Sequence, residues 1–341
     1  MSLGIDLAER GYVPDGVVRL SIRRLLRKRL AQDGVRRTPQ GKSELINEMC
    51  NSPIALSAGD ANQQHYEVPT EFFQLMLGAR MKYSCALFED EGDSLDKAEA
   101  TMLALCCSRA ELEDGQSILE LGCGWGSLSL YLAEHYPSSQ VTAVSNSATQ
   151  RTYIEAQAAR RNLDNLSVIT ADMNHFSTTD QFDRVMSIEM FEHMRNYQTL
   201  FQRISGWLKQ DGKLFFHIFC HRDMPYFFET DSKDDWMAKH FFTGGMMPSF
   251  DLPAHFNDCL DQEKAWVVNG LHYARTCAEW LRNLDLRKSD AFEAIARSDN
   301  PASEVIQFNR WRMFVMACQE LFSYRQGKEW HVAHYLFAKT S

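Results

Sequence analysis

The sequence predicts an α/β protein: a mostly parallel sheet with helices on both faces, a helical extension before it and a helical lid inserted into it. Three observations carry this expectation. From residue 115 onward, short apolar segments alternate with helical ones, the pattern of strand–helix–strand units. A glycine-rich turn, Gly122-Cys-Gly124-Trp-Gly126, separates the first apolar segment from the first helix. Ionisable residues Glu189, Glu192 and His193 follow the fourth apolar segment, at the edge where parallel sheets bind ligands.

The elements follow in order. Val17 to Leu30 places Val17, Leu20, Ile22, Leu25 and Leu30 among six arginines and lysines, an amphipathic basic helix. It reads either as a contact with an anionic membrane or as a helix packed on the main body with its arginines in water. The acidity of the rest of the chain favours packing. Residues 1–60 form the extension, closed by a turn-rich linker from Ser52-Pro53 to Gly59-Asp60. Ile118-Leu-Glu-Leu, Val141 to Ser145, Leu166 to Thr170, Phe182 to Ile188 and Gly212 to Ile218 read as strands. Leu128 to Ala133, Thr149 to Asn162 and Tyr197 to Leu208 read as the helices between them. Such alternation is Rossmann-like. Residues 220–300 break the rhythm, are rich in aromatics and Met, and read as the lid. A helix from Val305 to Phe322 and a strand from His331 to Phe337 complete a main domain of residues 61–341.

Composition narrows the class. The 341 residues are 45% hydrophobic and 24% charged with a net charge of −9, which excludes a disordered chain and argues against nucleic acid as partner. No apolar run approaches the ~18 residues of a membrane span, and the start lacks a secretory signal. Nine cysteines without a Cys-x-x-Cys pair fit reduced thiols in a cytoplasmic protein without a metal site.

Glu120-Leu-Gly122-Cys-Gly124-Trp-Gly126 differs from the dinucleotide fingerprint, whose third glycine comes one residue later, and lacks the Gly-Lys-Ser/Thr of a phosphate loop. It suits a ligand with an amino acid end and a nucleoside end, such as S-adenosylmethionine. Asp172, after the third strand, is placed to accept from an adenine amino group; it reads equally as a helix N-cap. The second strand ends in Ser145-Asn146 without an acidic residue, so Asn146 or Gln150 takes the ribose hydroxyls. In Ser187-Ile-Glu189-Met-Phe-Glu192-His193, a helical segment would set Glu189 and His193 four apart on one face, with Glu192 turned elsewhere. A carboxylate beside an imidazole is an acid–base couple for work near neutral pH.

These residues resemble the cyclopropane fatty acid synthase superfamily of S-adenosylmethionine-dependent enzymes. Five motifs recur in order: His65-Tyr66-Glu-Val-Pro-Thr-Glu-Phe-Phe, Tyr83-Ser84-Cys85-Ala-Leu-Phe, Glu120 to Gly126, Phe191-Glu192-His193-Met and Tyr273 to Trp280. The resemblance implies a class I methyltransferase sheet. One branch methylenates lipid acyl chains, using bicarbonate as base. The other, typified by coclaurine N-methyltransferase, methylates amines of benzylisoquinoline-type alkaloids. Cys85, Ile188, Glu192, His217 and Tyr273 match the lipid branch's bicarbonate site. Glu189 does not: the lipid branch resembles Ser-Ile-Gly-Ala-Phe-Glu-His, and the amine branch Ser-Ile-Glu-Met-Phe-Glu-His-Met, as here. A carboxylate at 189 attracts a cationic amine and crowds out bicarbonate.

The resemblance therefore implies a small amine as substrate. Glu189, His193 and Glu192 are its expected catalytic residues. Tyr83, Ser84, Glu120, Gly122, Gly124, Gly126, Asn146, Gln150 and Asp172 hold the cofactor, and Cys85, Ile188, His217, Phe241 and Tyr273 face the substrate. A homodimer is allowed for; stable membrane insertion is not expected.

Overall fold

The computed structural model describes residues 3–32, 37–56, 69–228, 236–298 and 300–340. Part of the linker, from residue 57, and His65 and Tyr66 of the first motif lie outside the described residues. The strands are β1 (Ser117–Leu121), β2 (Gln140–Ser145), β3 (Leu166–Thr170), β4 (Phe182–Ile188), β5 (Leu208–His221), β6 (Tyr226–Phe227), β7 (Met246–Met247), β8 (Leu260–Val268) and β9 (Trp330–Lys339). Seven of them form one sheet in the order β3-β2-β1-β4-β5-β9-β8. β1 to β5 run parallel; β9 is antiparallel to β5, and β8 to β9. The expected α/β sheet is present, with the described residues adding an antiparallel edge.

Local chemistry sets the elements. β1 buries Ile118, Leu119, Glu120 and Leu121 together, as a strand covered on both faces does. Helix Ala148–Arg161 starts at Ser147, whose side chain accepts from Gln150 N, and stops at Asn162 in the left-handed region (φ 54°), the usual capping asymmetry. Because β2 and β3 build out on one side of β1 and β4 returns on the other, the chain reverses between β1 and β4. Ligands of such sheets bind in the crevice at this reversal. The two strands are pinned there by Leu121 opposite Ser187 and by the Ser187 hydroxyl donating to Leu121 O at 2.9 Å.

The stretch expected as a lid divides. β6, helix Trp236–Phe241 and β7 cover the crevice. β8 instead extends the main sheet, and helix Gly270–Leu286 packs along helix Glu304–Ser323. β8 was illegible because most of it is solvent-facing: Asp261, Gln262, Glu263 and Lys264 are all exposed.

The basic helix, Asp15–Gln32, is packed on the body. Its inward stripe is Val18, Ile22, Leu26 and Leu30, a strict i, i+4 row. Val17, Leu20 and Leu25, grouped with the apolar face in the sequence, point to solvent. Arg19 and Arg23 are not simply in water: both donate to the Glu320 carboxylate, at 2.9 and 2.5 Å. No helix among the described residues is long and apolar enough to cross a membrane.

Gly270 opens its helix where a Cβ would meet the backbone carbonyls of Trp330 at 2.3 Å and Phe322 at 2.6 Å. Neither carbonyl can step aside. Gly270→Ala is expected to lower stability by about 1–3 kcal/mol, read as a lower urea midpoint.

Candidate active site

A cavity opens at the β1/β4 reversal. Its floor is Glu120, Gly122 and Gly124; its flanks are Ser145, Asn146 and Gln150 after β2, and Ala171 and Met173 after β3. Ile188, Glu189 and His193 close it from β4, and Phe228, Met237 and Phe242 from the lid. Two glycines are required by space and backbone alike. Gly122 has φ 75° and a Cβ there would meet Met190 at 2.7 Å; Gly126 has φ 77° and would meet Ile154 at 2.6 Å. At Gly124 a Cβ would meet nothing within 4 Å, so the turn presents open peptide to a ligand. Glu120 is 2% exposed; burial pushes its carboxyl up to about 7 against the Ser129 hydroxyl, which donates to it. An open peptide turn beside a buried carboxyl suits a ligand with a cationic amino acid end.

Glu189 is the centre of the other half. It follows β4 with φ 49°, and its N–H donates to His217 O at 2.8 Å. This turn throws the side chain back over the sheet edge. Oε1 accepts from Cys85 N at 3.0 Å and from His217 Nε2 at 3.1 Å, and Oε2 from the Tyr273 hydroxyl at 2.6 Å. Burial pushes the carboxyl up; Lys82, Tyr273, Cys85 N–H and His193 oppose it. Burial lowers His193 to about 4, the nearby Glu189 resisting, so at neutral pH its imidazole is uncharged. Its ring lies 17° from parallel to that of Phe242, centroids 5.8 Å apart.

The expected helix through 189–193 is absent. Only Phe191–His193 forms a single 3-10 turn. Glu189 and His193 are brought to one cavity by a left-handed strand exit, not by a shared helix face. Glu192 is fully buried outside the cavity lining and accepts from Phe219 N at 2.6 Å. Burial and then Glu189 push its carboxyl well up, and its bond to Phe219 N ties the turn to β5.

Tyr83, Ser84, Asn146, Gln150, Ile188 and Tyr273 line the cavity as the sequence suggested. Gly126 shapes the turn from behind. Asp172 does not line the cavity, and no helix follows it for it to cap; its carboxylate accepts from Asn174 N at 2.7 Å, closing a local turn. Phe241 turns inward and stacks on Phe314, centroids 4.2 Å apart, because it ends the lid helix on the core side; Phe242 faces the cavity instead. Cys85 and His217 reach the cavity only through Glu189. Lys82 was overlooked. It is 1% exposed, its Nζ donating to Ser84 Oγ at 2.5 Å and Cys85 O at 2.7 Å. A lysine between Met81 and Tyr83 was the available signal.

Sheet, glycine turn and strand-end couple together define an S-adenosylmethionine-dependent methyltransferase. Residues 56–332 match the family described as Mycolic acid cyclopropane synthetase, and the chain belongs to that family. It is 38% identical to (S)-coclaurine N-methyltransferase of Thalictrum flavum subsp. glaucum, over 97% of this chain and 94% of that protein. It is 31% identical to the cyclopropane-fatty-acyl-phospholipid synthase of Escherichia coli (strain K12), over 79% of this chain and 66% of that one. The solved structure of coclaurine N-methyltransferase bound to N-methylheliamine and SAH superposes with a TM-score of 0.91 at 36% identity, covering 98% of each chain.

A buried acid raised to about 7 contributes stability that is present below its unfolded value and lost as pH rises through the folded one. Glu120 should therefore withdraw up to about 3 kcal/mol between pH 4.5 and 7. Urea midpoints at pH 5 and pH 8 should show Glu120→Gln losing less stability across that interval than the parent.

Proposed function

We propose that the enzyme transfers the methyl group of S-adenosylmethionine to the nitrogen of a small amine, of benzylisoquinoline type or a similar aromatic amine. One observation carries this reading: the Glu189 carboxylate occupies the donors Cys85 N–H, His217 and Tyr273. Those are positions that resemble the bicarbonate site of the lipid branch, so the anion is built into the chain. The cofactor supplies a methyl already activated by positive sulfur; Tyr83, Ser84 and the turn from Glu120 to Gly124 would hold it. The protein's part is alignment and proton removal. Glu189 draws the cationic amine in, and Glu189 or the uncharged His193 would first take a proton from it, freeing the nitrogen lone pair that would then attack the methyl carbon as the C–S bond breaks and SAH leaves. Phe228 and Phe242, centroids 5.1 Å apart, offer faces for an aromatic ring or a cation. The high identity to named N-methyltransferases over nearly the whole chain supports the same reading.

Purified enzyme incubated with S-adenosylmethionine and a panel of secondary and tertiary amines should methylate at least one. Turnover of unsaturated phospholipid with no amine product would reverse the assignment. Glu189→Gln should lower kcat by about 10²–10⁴-fold while SAH binding by calorimetry stays within a factor of two or so of the parent.

Position 189 has a backbone that glycine adopts without strain (φ 49°). Glu189→Gly should empty the anion site and leave its donors in place. Added bicarbonate is expected to restore part of the lost rate in this variant and none in the parent.

A further inference from the structure

Behind Glu189 lies a row of side chains that the reaction above does not use. His217 on β5 stands directly opposite His334 on β9, and His334 opposite Trp266 on β8. His217 Nδ1 and His334 Nε2 are 3.0 Å apart. Arg109, the last residue of helix Leu95–Arg109, brings Nη1 within 3.0 Å of His334 Nδ1 and its guanidinium carbon 5.0 Å above the Trp266 ring. Both histidines are 0% exposed.

A guanidinium only donates. His334 Nδ1 must therefore accept, which puts the His334 proton on Nε2. That N–H donates to His217 Nδ1, which puts the His217 proton on Nε2, aimed at Glu189 Oε1. A fixed cation at one end dictates every donor along the chain. Burial holds both imidazoles uncharged, with Arg109 and Lys82 opposing a proton on either, so no second proton scrambles the order.

We propose that Arg109 and His334 are positioning residues that lock His217 as its Nε2–H tautomer and so keep Glu189 an unprotonated hydrogen-bond acceptor. The polarity also closes an exit: Glu189 cannot pass a proton to a nitrogen that already carries one. The proton taken from the amine leaves through the cavity. Other groups facing Glu189 are Lys82, Cys85, Tyr273, Glu192, His193, Cys106 and Cys277; of these, Cys106 and Lys82 also act on the far end of the row, Cys106 through Arg109 and Lys82 through His334. The Sγ of Cys106 lies 4.0 Å from His217 Nδ1, and these three side chains have the composition of a metal site. The same two imidazole nitrogens are already satisfied by each other, and Arg109 adds positive charge beside them.

The inference rests on Glu189 acting as base in the proposed amine methylation. Its test has one arm that needs no turnover. ¹⁵N-histidine spectra of the full-length parent, assigned with His334→Gln, should show His217 and His334 both as Nε2–H tautomers that do not titrate between pH 5.5 and 9, an interval centred near the ordinary histidine range. A His217 proton on Nδ1, or stoichiometric zinc in the purified enzyme, overturns the lock whatever the substrate proves to be. The second arm is the pH profile of kcat/KM. Arg109→Met and His334→Phe release His217 to flip, so the acid limb should move up by about one pH unit, a roughly tenfold loss on that limb that recovers at high pH. In His334→Gln the amide accepts from Arg109 and donates to His217, so the limb should return toward its parental position. A loss equal at every pH would show a merely structural role and overturn the proposal.

Discussion

Glu189 leaves β4 in the left-handed region, its N–H already engaged by the His217 carbonyl. A side chain other than glycine held there costs about 1–3 kcal/mol. What offsets that strain is the carboxylate's triple engagement by Cys85 N–H, His217 and Tyr273. These donors come from three separate parts of the chain, so the irregular segment that carries Cys85, β5 and helix Gly270–Leu286 must all be in place before the conformation is favourable. The glycine turn depends on it as well, because Met190, the next residue, fills the space a Cβ on Gly122 would need. The glycine turn and the strand exit that carries Glu189 are thus packed against each other rather than merely near.

The sheet was largely legible. β3 and β4 were readable to the residue because their apolar runs are bounded by polar turns and their order fixes a parallel sheet. β8 escaped because an edge strand with four exposed polar residues carries no alternation. The basic helix was recognised, but its inner stripe was not, since arginines at both faces blur the period.

The site was legible where chemistry lies in contiguous motifs and illegible where it depends on register. Glu189 and His193 do line one cavity, but a strand exit brings them there instead of a helix face. The sequence points to Phe241 where Phe242 faces the cavity, a one-residue difference that only the end of a short helix decides. His334 and Arg109 are 225 residues apart. Nothing in a linear reading says that β9 pairs with β5 so that two histidines stand face to face.

The position of β9 has a consequence for biogenesis. During translation the nucleotide-side loops of β1, β2 and β3 all emerge well before residue 330. A nascent chain arrested short of that strand would carry every residue proposed to hold the donor, and an imidazole at 217 without the His334 nitrogen that fixes its proton in the proposed lock. The proton order proposed for the histidine row can therefore be fixed only once the antiparallel strand has come into register with β5.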